Sequence, residues 1–342
     1  MPVKNAYYSL IIISLIFFTS CSPHVQGPVS RIAMGTICQI NLYEAGRQDV
    51  YNRLFARIDE LEGILSVNIE ESDISRVNSN AGIMPVRVRR ELIDLLLSAI
   101  DFAEKSKGHF DPSIGTLVSL WGIGSEEPRL PEEEDIRYAL SLVNYHDIEV
   151  NVLDSTVFLK RQGMALDLGA IAKGYAADEL VSLLASLGIN RGIINLGGDI
   201  FALGGRDSHN ADFWRIGIQD PMDALGSYVG IINLINKAVA SSGVYQRYFY
   251  EGDRRYHHIL STEDGYPVDN GLVSVSIIYE NAVIADALCT AVFAMGWERG
   301  SEFILSFPGA EGIFIFEDLS IRLTPGAAAV FTLSNFEYRI IN

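Results

Sequence analysis

The second half of the chain contains one strand-like segment after another, and this order limits the possible folds more than any other feature. The segments are Gly192 to Leu203, Phe213 to Ile218, Tyr228 to Ile235, Arg255 to Leu260 and Leu272 to Tyr279. A doubly wound parallel sheet needs a helix between successive strands, and these strands come in runs. The sequence therefore predicts an α+β fold, a single large unit with antiparallel sheets flanked by helices.

Segments with apolar residues at helical spacing predict the helices that flank these sheets. They are Val50 to Leu65, Glu91 to Lys105, Ile171 to Leu187 with Gly188 as the stop, and Asn281 to Met295. Pro131 predicts the start of a further helix after an acidic loop. The remaining predicted elements are a strand over Arg31 to Tyr43, a hairpin over Asn151 to Leu159, and short strands around Gly312 to Phe316 and Ala329 to Leu333. No composition break marks a linker inside residues 31–342, so we expect one domain there.

Composition and charge exclude several classes of protein. With 342 residues, 49% of them hydrophobic and 20% charged, the chain can bury a core and is not disordered. Its 43 acidic and 26 basic residues give a net charge of -17, which argues against a nucleic-acid partner. The three cysteines, Cys21, Cys38 and Cys289, are too few for a disulfide framework and too scattered for a zinc site.

The N-terminal segment predicts export and lipid attachment. An apolar run from Ala6 to Phe18 has the length of a signal-peptide core and is shorter than the ~18–20 residues that span a bilayer. Small residues then precede Cys21, as in a bacterial lipobox. We expect a signal peptide over residues 1–20, a lipid anchor on Cys21 and a tether over 21–30; an uncleaved anchor helix is the alternative. The expected location is the bacterial cell envelope, facing the periplasm from the inner membrane.

The segment Asp167 to Tyr175 combines small residues with a carboxylate and a lysine. Small residues allow a ligand close to the backbone, and the free N–H groups at a helix start attract phosphate. Lys173 adds a positive charge for phosphate, and Asp167 can accept from a ribose hydroxyl or a base edge. The alternative is a helix cap with a solvent-facing Lys173. The segment matches neither a Walker A loop nor a G-x-G-x-x-G fingerprint.

Two later segments also contain polar residues at notable positions. Gly197 and Gly198 precede Asp199 in a strand-like run, which is typical of a close backbone approach to a ligand and equally of a tight bend. His257 and His258 point to opposite faces if they lie in a strand. One histidine can then belong to a site while the other is packed or exposed, and their spacing is not a metal motif.

Asp286 and Thr290 stand four residues apart in the last predicted helix, so their side-chain oxygens lie on one face. A carboxylate, a hydroxyl and a nearby backbone carbonyl form a hard-oxygen site suited to Mg²⁺ and phosphate oxygens. The alternative is an Asp that favours the helix dipole and a Thr that bonds back to the helix. These two residues by themselves favour that alternative.

Taken in order, these segments resemble the ApbE family of bacterial flavin transferases, which move FMN from FAD to a protein Ser or Thr, and relatives that hydrolyse FAD. The matching stretches extend over most of residues 31–342: Met34 to Thr36, Ser72 to Asn78, Gly108 to Ser113, Leu120 to Gly122, Asp167 to Tyr175, Asn195 to Asp199, Ser242-Gly243 with Tyr245, His258 with Gly265 to Pro267, and Ala285 to Thr290. The resemblance implies a T-fold-like unit, FAD as substrate, and as acceptor an exported flavoprotein subunit of a membrane redox complex.

The resemblance also implies roles for individual residues. The flavin and FAD contacts would come from Met34, His109, Phe110, Asp111, Asp167, Lys173 and Ile259. The metal, Mg²⁺ or Mn²⁺, would be held by the backbone carbonyl of Ala170 and by Asp286 and Thr290, which reverses the interpretation favoured above. An imidazole suits proton transfer at neutral pH, so we expect His258 to activate the nucleophile, with His257 as the alternative.

The sequence departs from the family's pattern at two positions. Asn68 stands where family transferases commonly have an aromatic residue that could stack on FAD, so we expect Asn68 over a more open flavin site; otherwise it ends a turn away from ligand. Val244 stands where the family has a carboxylate. Both departures weigh against flavin transfer. Two alternatives therefore stay open: metal-dependent hydrolysis of FAD to FMN and AMP, and a non-catalytic flavin-binding lipoprotein.

Overall fold

The structure, a computed structural model, describes residues 27–43, 48–206, 212–223 and 226–341. The predicted signal peptide and Cys21 lie outside these residues. The helices are α1 (Gln48–Leu65), α2 (Asp73–Ser79), α3 (Arg90–Lys105), α4 (Gly115–Trp121), α5 (Glu133–Ser141), α6 (Ala172–Ser186), α7 (Ala282–Ile304) and α8 (Pro325–Val330). Within the described ranges, no helix is long and apolar enough to span a membrane.

The strands alternate with these helices in the first half and dominate the second half. They are β1 (Val29–Ala33), β2 (Thr36–Leu42), β3 (Val86–Arg87), β4 (Ile148–Asn151), β5 (Thr156–Leu159), β6 (Gly192–Leu196), β7 (Asp199–Leu203), β8 (Trp214–Gln219), β9 (Tyr228–Leu234), β10 (Lys237–Gly243), β11 (Tyr248–Glu251), β12 (Arg254–His257), β13 (Leu272–Tyr279), β14 (Glu311–Phe316), β15 (Ser320–Leu323), β16 (Phe331–Leu333) and β17 (Arg339–Ile340).

A nine-stranded sheet forms the centre of the fold, in the order β1-β2-β6-β7-β10-β13-β14-β15-β17. Its neighbours pair antiparallel except for β15 and β17, which are parallel. Helix α7 packs on β10 and β13, and α6 packs on α7, so the main core lies between this sheet and its helices. Three smaller sheets, β11-β12, β16-β9-β8 and β3-β5-β4, surround it. The predicted α+β unit with antiparallel sheets is confirmed.

The four helices predicted from periodicity are confirmed as α1, α3, α6 and α7. In α3 the face that carries Leu92, Leu96 and Ala99 is buried, which is the stripe expected of an amphipathic helix. Helix α7 continues past its predicted end, because the chain stays helical on both sides of a kink at Gly296. The predicted hairpin over Asn151 to Leu159 is confirmed as β4 and β5.

Two segments predicted as single strands are hairpins instead. Residues 31–43 contain the end of β1, a turn at Met34 and Gly35, and β2; both turn residues have positive φ, as in a type I′ hairpin turn. Val29 and Ser30, which were predicted to belong to the tether, pair with β2 as part of β1. Gly192 to Leu203 likewise folds back at Gly197 and Gly198, both with positive φ, so the tight bend is confirmed there.

The predicted strand over Arg255 to Leu260 is too long at its end. Strand β12 stops at His257, and His258 already lies in the following loop. His257 is buried and His258 is half-buried, but His258 lies outside the strand, so strand alternation does not account for the difference. The predicted closing strand at Ala329 begins later, because α8 occupies the chain up to Val330 and β16 follows it.

Candidate active site

Lys173 lies in the first turn of α6, and its ammonium stands between two buried carboxylates. Its Nζ is 3.0 Å from Asp199 Oδ2 and 3.5 Å from Asp286 Oδ1. Burial lowers the pKa of Lys173, but the charges of Asp199 and Asp286 outweigh burial and raise it above its usual value. Lys173 is therefore a charged group inside a site, and the solvent-facing helix lysine considered as the alternative is wrong.

Asp199 was not among the residues assigned to the site from sequence. It opens β7 directly after the Gly197–Gly198 turn, and its Oδ1 accepts a hydrogen bond from the Ser241 N–H of β10 at 3.0 Å. Burial raises the pKa of Asp199, Asp286 adds to that effect and Lys173 opposes it. A carboxylate at the start of a strand that is otherwise apolar was the sequence signal that could have identified it.

Asp286 joins α7 to the first turn of α6 through its second oxygen. Oδ2 accepts a hydrogen bond from the Gly174 N–H at 3.0 Å. Gly174 is the third residue of α6, where the backbone N–H has no carbonyl partner within the helix, and Asp286 supplies that partner. Ala170 lies just before the N-cap residue Ile171, so its carbonyl is outside the helical hydrogen-bond ladder. A side chain at Gly174 would meet the Ala282 carbonyl oxygen, so glycine permits this close approach of α6 and α7.

Thr290 lies one turn after Asp286, beside the end of β10. Its Oγ1 is 3.5 Å from Ser242 Oγ, longer than the usual 2.7–2.8 Å between hydroxyls, so this contact leaves its lone pairs available. The preceding Cys289 accepts a hydrogen bond from the Ser242 N–H at 3.0 Å, and burial raises the pKa of its thiol to about 12. Cys289 is therefore a buried neutral thiol that fixes α7 against β10.

The donors from Ala170, Asp286 and Thr290 are a carbonyl, a carboxylate and a hydroxyl. Such hard oxygen donors fit Mg²⁺ or Mn²⁺, which are commonly bound by few carboxylates together with substrate phosphates. Over the described ranges, no group of three or more His, Cys, Asp and Glu side chains could hold a metal. A metal at this site would thus depend on backbone and hydroxyl oxygens, and on Asp286 as its charged ligand.

Asp167 is tied into the loop that precedes α6. Its Oδ1 accepts from the Gly169 N–H at 2.7 Å, and its own N–H donates to the Pro112 carbonyl at 2.9 Å. Burial raises the pKa of the Asp167 carboxyl, while the charges of Arg247 and Lys173 lower it. The long-range influence of Lys173 and Arg247 places Asp167 in the same electrostatic environment as the cluster around Lys173.

The His109–Asp111 stretch is mainly engaged in contacts within the protein. His109 Nε2 is 3.3 Å from Arg299 Nη1, and burial together with Arg299 lowers its pKa. Phe110 is buried and packs edge-on against Phe102. Both oxygens of Asp111 accept protein hydrogen bonds, from Ser113 on one side and Tyr145 on the other. Contact of His109, Phe110 and Asp111 with flavin stays a prediction.

His257 ends β12 and His258 follows it, and the two differ in the hydrogen bonds of their ring nitrogens. His257 Nε2 lies 2.9 Å from the Val268 carbonyl, and its Nδ1 accepts from the Ile259 N–H at 3.3 Å, so both nitrogens are engaged. His258 Nδ1 lies 3.3 Å from the Arg247 carbonyl. Burial and the charge of Arg247 lower the pKa of His258 to about 3, so its imidazole is neutral at pH 7. Ile259 is buried between these contacts.

Met34 and Asn68 lie in two separate turns. Met34 occupies the β1–β2 turn with φ 51°. The side chain of Thr36, just after this turn, packs so close to Gly197 that any side chain at position 197 would clash with it. This brings the Met34 turn beside the turn that leads to Asp199. Asn68 is exposed after α1, and its N–H donates to Ser66 Oγ at 3.2 Å. Its position over a flavin stays a prediction.

The order and geometry of these segments agree with a match over most of the chain. The model of the ApbE family matches residues 34–314. The chain belongs to the ApbE family. The Treponema pallidum (strain Nichols) FAD:protein FMN transferase is 35% identical over 312 residues, which cover 87% of this chain and 86% of the relative. The Klebsiella pneumoniae (strain 342) protein of that name is 33% identical over 313 residues, covering 92% of this chain and 96% of the relative.

The ApbE fold is also found by comparison with solved structures. The crystal structure of the ApbE protein from Thermotoga maritima superposes with a TM-score of 0.80 at 31% sequence identity. The superposition covers 89% of this chain and 98% of that one. The predicted family and the predicted single α+β unit are therefore confirmed.

Proposed function

We propose that this ApbE-family protein is a metal-dependent FAD:protein FMN transferase, which moves FMN to a Thr or Ser hydroxyl of an acceptor flavoprotein and releases AMP. The FMN transferase relatives at 35% and 33% identity support the reaction. The observation that carries the metal requirement is the position of buried Asp286, whose Oδ2 accepts the Gly174 N–H at 3.0 Å and so lies beside the loop that contains Ala170. The three oxygen donors of Ala170, Asp286 and Thr290 would then hold Mg²⁺ or Mn²⁺.

The charges of the site suit a pyrophosphate. A bound divalent metal supplies positive charge to the pyrophosphate oxygens of FAD and to the charge that develops on departing AMP. Lys173 adds a fixed ammonium from the first turn of α6, where the burial of Asp199 and Asp286 limits screening by water. Asp167, next to this turn, is the carboxylate expected to accept a hydroxyl or base-edge hydrogen bond from FAD.

His258 is the residue that we propose takes the proton from the nucleophile. The acceptor hydroxyl oxygen bonds to the FMN phosphorus, the pyrophosphate P–O bond breaks, and AMP leaves with the bridging oxygen. His258 Nδ1 lies near the Arg247 carbonyl, so the tautomer that donates there leaves Nε2 to accept the hydroxyl proton. Burial and Arg247 lower the pKa of His258 to about 3, which makes it a weaker base than a free imidazole, so the support for this role is the geometry of its ring nitrogens. Both ring nitrogens of His257 are engaged within the protein, which supports His258 over His257.

Hydrolysis of FAD by the same site is the second function that an observation favours. Asn68 is an exposed side chain in a turn, at the position where family transferases commonly have an aromatic residue. An open site would admit water in place of the acceptor hydroxyl, and the products would be FMN and AMP. One cluster argues against the non-catalytic alternative. In it the Lys173 ammonium contacts Asp199 and Asp286, and a protein that only binds flavin does not need a charged group beside a metal ligand.

We also propose that the protein is lipid-anchored through Cys21 and faces the periplasm from the inner membrane. The support is the lipobox-like sequence that ends at Cys21 and the short apolar run before it. A subunit of a membrane redox complex is then the acceptor we expect, because both proteins would lie at the same membrane.

The test is to incubate the purified protein with FAD and Mg²⁺, with and without a candidate acceptor subunit. A matched acceptor in which the target Thr is changed to Ala serves as the control. Covalent fluorescent flavin on the acceptor alone, with AMP released, supports transfer. FMN and AMP formed without acceptor indicate hydrolysis, and unchanged FAD that co-purifies with the protein contradicts both catalytic functions.

A further inference from the structure

Lys173 shares a carboxylate with the proposed metal. Its ammonium lies 3.5 Å from Asp286 Oδ1 and 3.0 Å from Asp199 Oδ2, and the side chains of Asp199 and Asp286 are only 9% and 6% exposed. Asp286 is also the charged ligand of the proposed metal site. One carboxylate therefore has to serve two cations, one of them tethered to α6.

The Lys173 ammonium and a divalent metal ion cannot both bind Asp286 Oδ1 at full strength. Like charges repel, and at a buried site this repulsion is weakly screened by water and salt. The second oxygen of Asp286 already accepts the Gly174 N–H, whereas Oδ1 has the ammonium as its neighbour. A divalent ion that binds at Oδ1 therefore repels the ammonium from that oxygen.

Asp199 can retain the ammonium, because it already holds Lys173 Nζ at 3.0 Å, closer than Asp286 does at 3.5 Å. Asp199 Oδ1 is fixed by the Ser241 N–H, so the carboxylate is held between the adjacent strands β7 and β10. Its Oδ2 faces Lys173 and has no hydrogen-bond donor other than that ammonium among the described residues. The four-carbon side chain of Lys173 is flexible, so a small shift keeps the Asp199 pair and releases Asp286.

We propose that Lys173 competes with the metal for Asp286: its ammonium pairs with both Asp199 and Asp286 until a divalent ion displaces it from Asp286, and Asp199 alone then retains it. Asp199 is in this view a positioning residue, which keeps the ammonium in the site for the pyrophosphate. The inference rests on the proposed metal site but not on which reaction follows.

The proposal predicts opposite effects from the two partners of one ion pair. Lys173→Met removes the competitor, so the divalent ion binds more tightly, by a factor on the order of ten. Asp199→Asn removes the alternative partner, so Lys173 stays on Asp286 and the ion binds more weakly, by roughly 10- to 100-fold. A merely structural ion pair would instead weaken metal binding when either partner is lost.

The experiment is a titration of the full-length protein with Mn²⁺, without FAD, followed by electron paramagnetic resonance of the free ion. The variants are Lys173→Met, Lys173→Gln and Asp199→Asn, each checked for folding by circular dichroism. Lys105→Met and Asp101→Asn are matched controls, because this exposed pair on α3 carries the same charges outside the site. Their Mn²⁺ affinity should equal that of the unchanged protein.

The outcomes separate this inference from the proposed function. Tighter binding in both Lys173 variants with weaker binding in Asp199→Asn supports the competitor role. Unchanged or weaker binding in the Lys173 variants overturns it while the metal site stands. If the unchanged protein does not bind Mn²⁺, or if Asp286→Asn does not reduce its Mn²⁺ binding, the proposed metal site is wrong and the inference is wrong with it.

Discussion

Asn78 and Leu166 are joined by two hydrogen bonds in opposite directions. Asn78 Nδ2 donates to the Leu166 carbonyl at 3.0 Å, and the Leu166 N–H donates to Asn78 Oδ1 at 2.7 Å. The asparagine ends the family-like stretch that begins at Ser72, and Asp167 follows Leu166 directly. Helix α2 thus holds the strand-like segment that presents Asp167, although Asn78 is distant from it in sequence.

Replacing Asn78 tests this relationship. Asn78→Ala leaves both backbone groups of fully buried Leu166 without these partners, so we expect the free energy of unfolding to fall by about 1–3 kcal/mol. Urea denaturation measures that loss, and a higher KM for FAD should accompany it because Asp167 is released. Asn80→Ala is the control, since the Asn80 side chain donates to the Arg76 carbonyl of α2 and so makes a local contact within that helix. An unchanged KM in Asn78→Ala would separate Asn78 from FAD binding.

Asp286 is expected to be indispensable for turnover. Asp286→Asn keeps an oxygen for the Gly174 N–H but removes the charge, so we expect FAD turnover to fall by ~10²–10³-fold, as when one electrostatic contact of an active site is lost. Turnover is measured as AMP release in EDTA-treated buffer supplemented with Mg²⁺. The control is Asp101→Asn on the exposed face of α3. Normal AMP release by Asp286→Asn would disprove the metal assignment.

Asn68 is expected to influence the choice between water and acceptor. In Asn68→Tyr a ring can stack on FAD, worth roughly 0.5–1.5 kcal/mol beyond burial, or a several-fold to tenfold longer residence. Slower escape of FAD should lower the ratio of free FMN to flavinylated acceptor. Both products are quantified with the same acceptor and Mg²⁺. An equal ratio in the two proteins would favour the simple turn, in which Asn68 donates to Ser66 and has no contact with FAD.

Lipid attachment is expected to depend on Cys21 alone. Cys21→Ser cannot form the thioether, so radiolabelled palmitate should enter the unchanged protein and not the variant. Cys38→Ser is the control, because Cys38 is buried in β2 and should not affect labelling. Label in the Cys21→Ser protein would place the anchor elsewhere.

Asp73 is expected to make stability depend on pH at the acid end. It is buried and accepts the Arg89 N–H at 2.6 Å and the guanidinium groups of Arg89 and Arg76 at 3.0 Å. Burial raises its pKa, but these hydrogen bonds outweigh burial and hold the pKa below its usual 3.8. The stabilisation is therefore complete above pH ~4 and is lost as pH falls through the lowered pKa of the folded state.

Asp73→Asn should then lower the free energy of unfolding by about 1.5–3 kcal/mol at pH 7 and by much less near pH ~2. Urea denaturation over that pH range gives the comparison. Asp94→Asn breaks the exposed pair with Arg90 and should change stability by under ~1 kcal/mol at any pH. A constant difference between Asp73→Asn and the unchanged protein would exclude the linkage.

Helices were predictable from sequence because their apolar stripes repeat over several turns. Leu54, Ile58 and Leu61 recur at helical spacing and are all buried in α1. The two missed hairpins had no such signal, since Met34 takes a positive φ that sequence reasoning does not expect of a methionine. At Gly197 and Gly198 the apolar pattern continues on both sides of the bend, so one strand and two strands look alike.

Individual residues of the site could be predicted from the sequence, but the contacts between them could not. Lys173 and Asp286 stand in recognisable segments, yet their 3.5 Å contact joins two helices that are far apart in sequence. A carboxylate at the start of an apolar strand marks Asp199 as a candidate, but its pairing with Lys173 depends on the Gly197–Gly198 turn and on Ser241 of a different strand. Such long-range contacts are set by sheet order, which strand propensity does not specify.

The pairing of β2 with β6 has a consequence for how the chain folds. Cys38 of β2 lies opposite Leu196 of β6, and the six helices α1 to α6 and the three strands β3 to β5 must be made before the two can meet. During synthesis, which begins at the N-terminus, the β1–β2 hairpin therefore has an unpaired strand edge on β2 until β6 has been made. Contacts so remote in sequence slow folding, and an open edge can pair with other chains in the meantime. The most vulnerable moment of this protein thus comes before β6 has emerged.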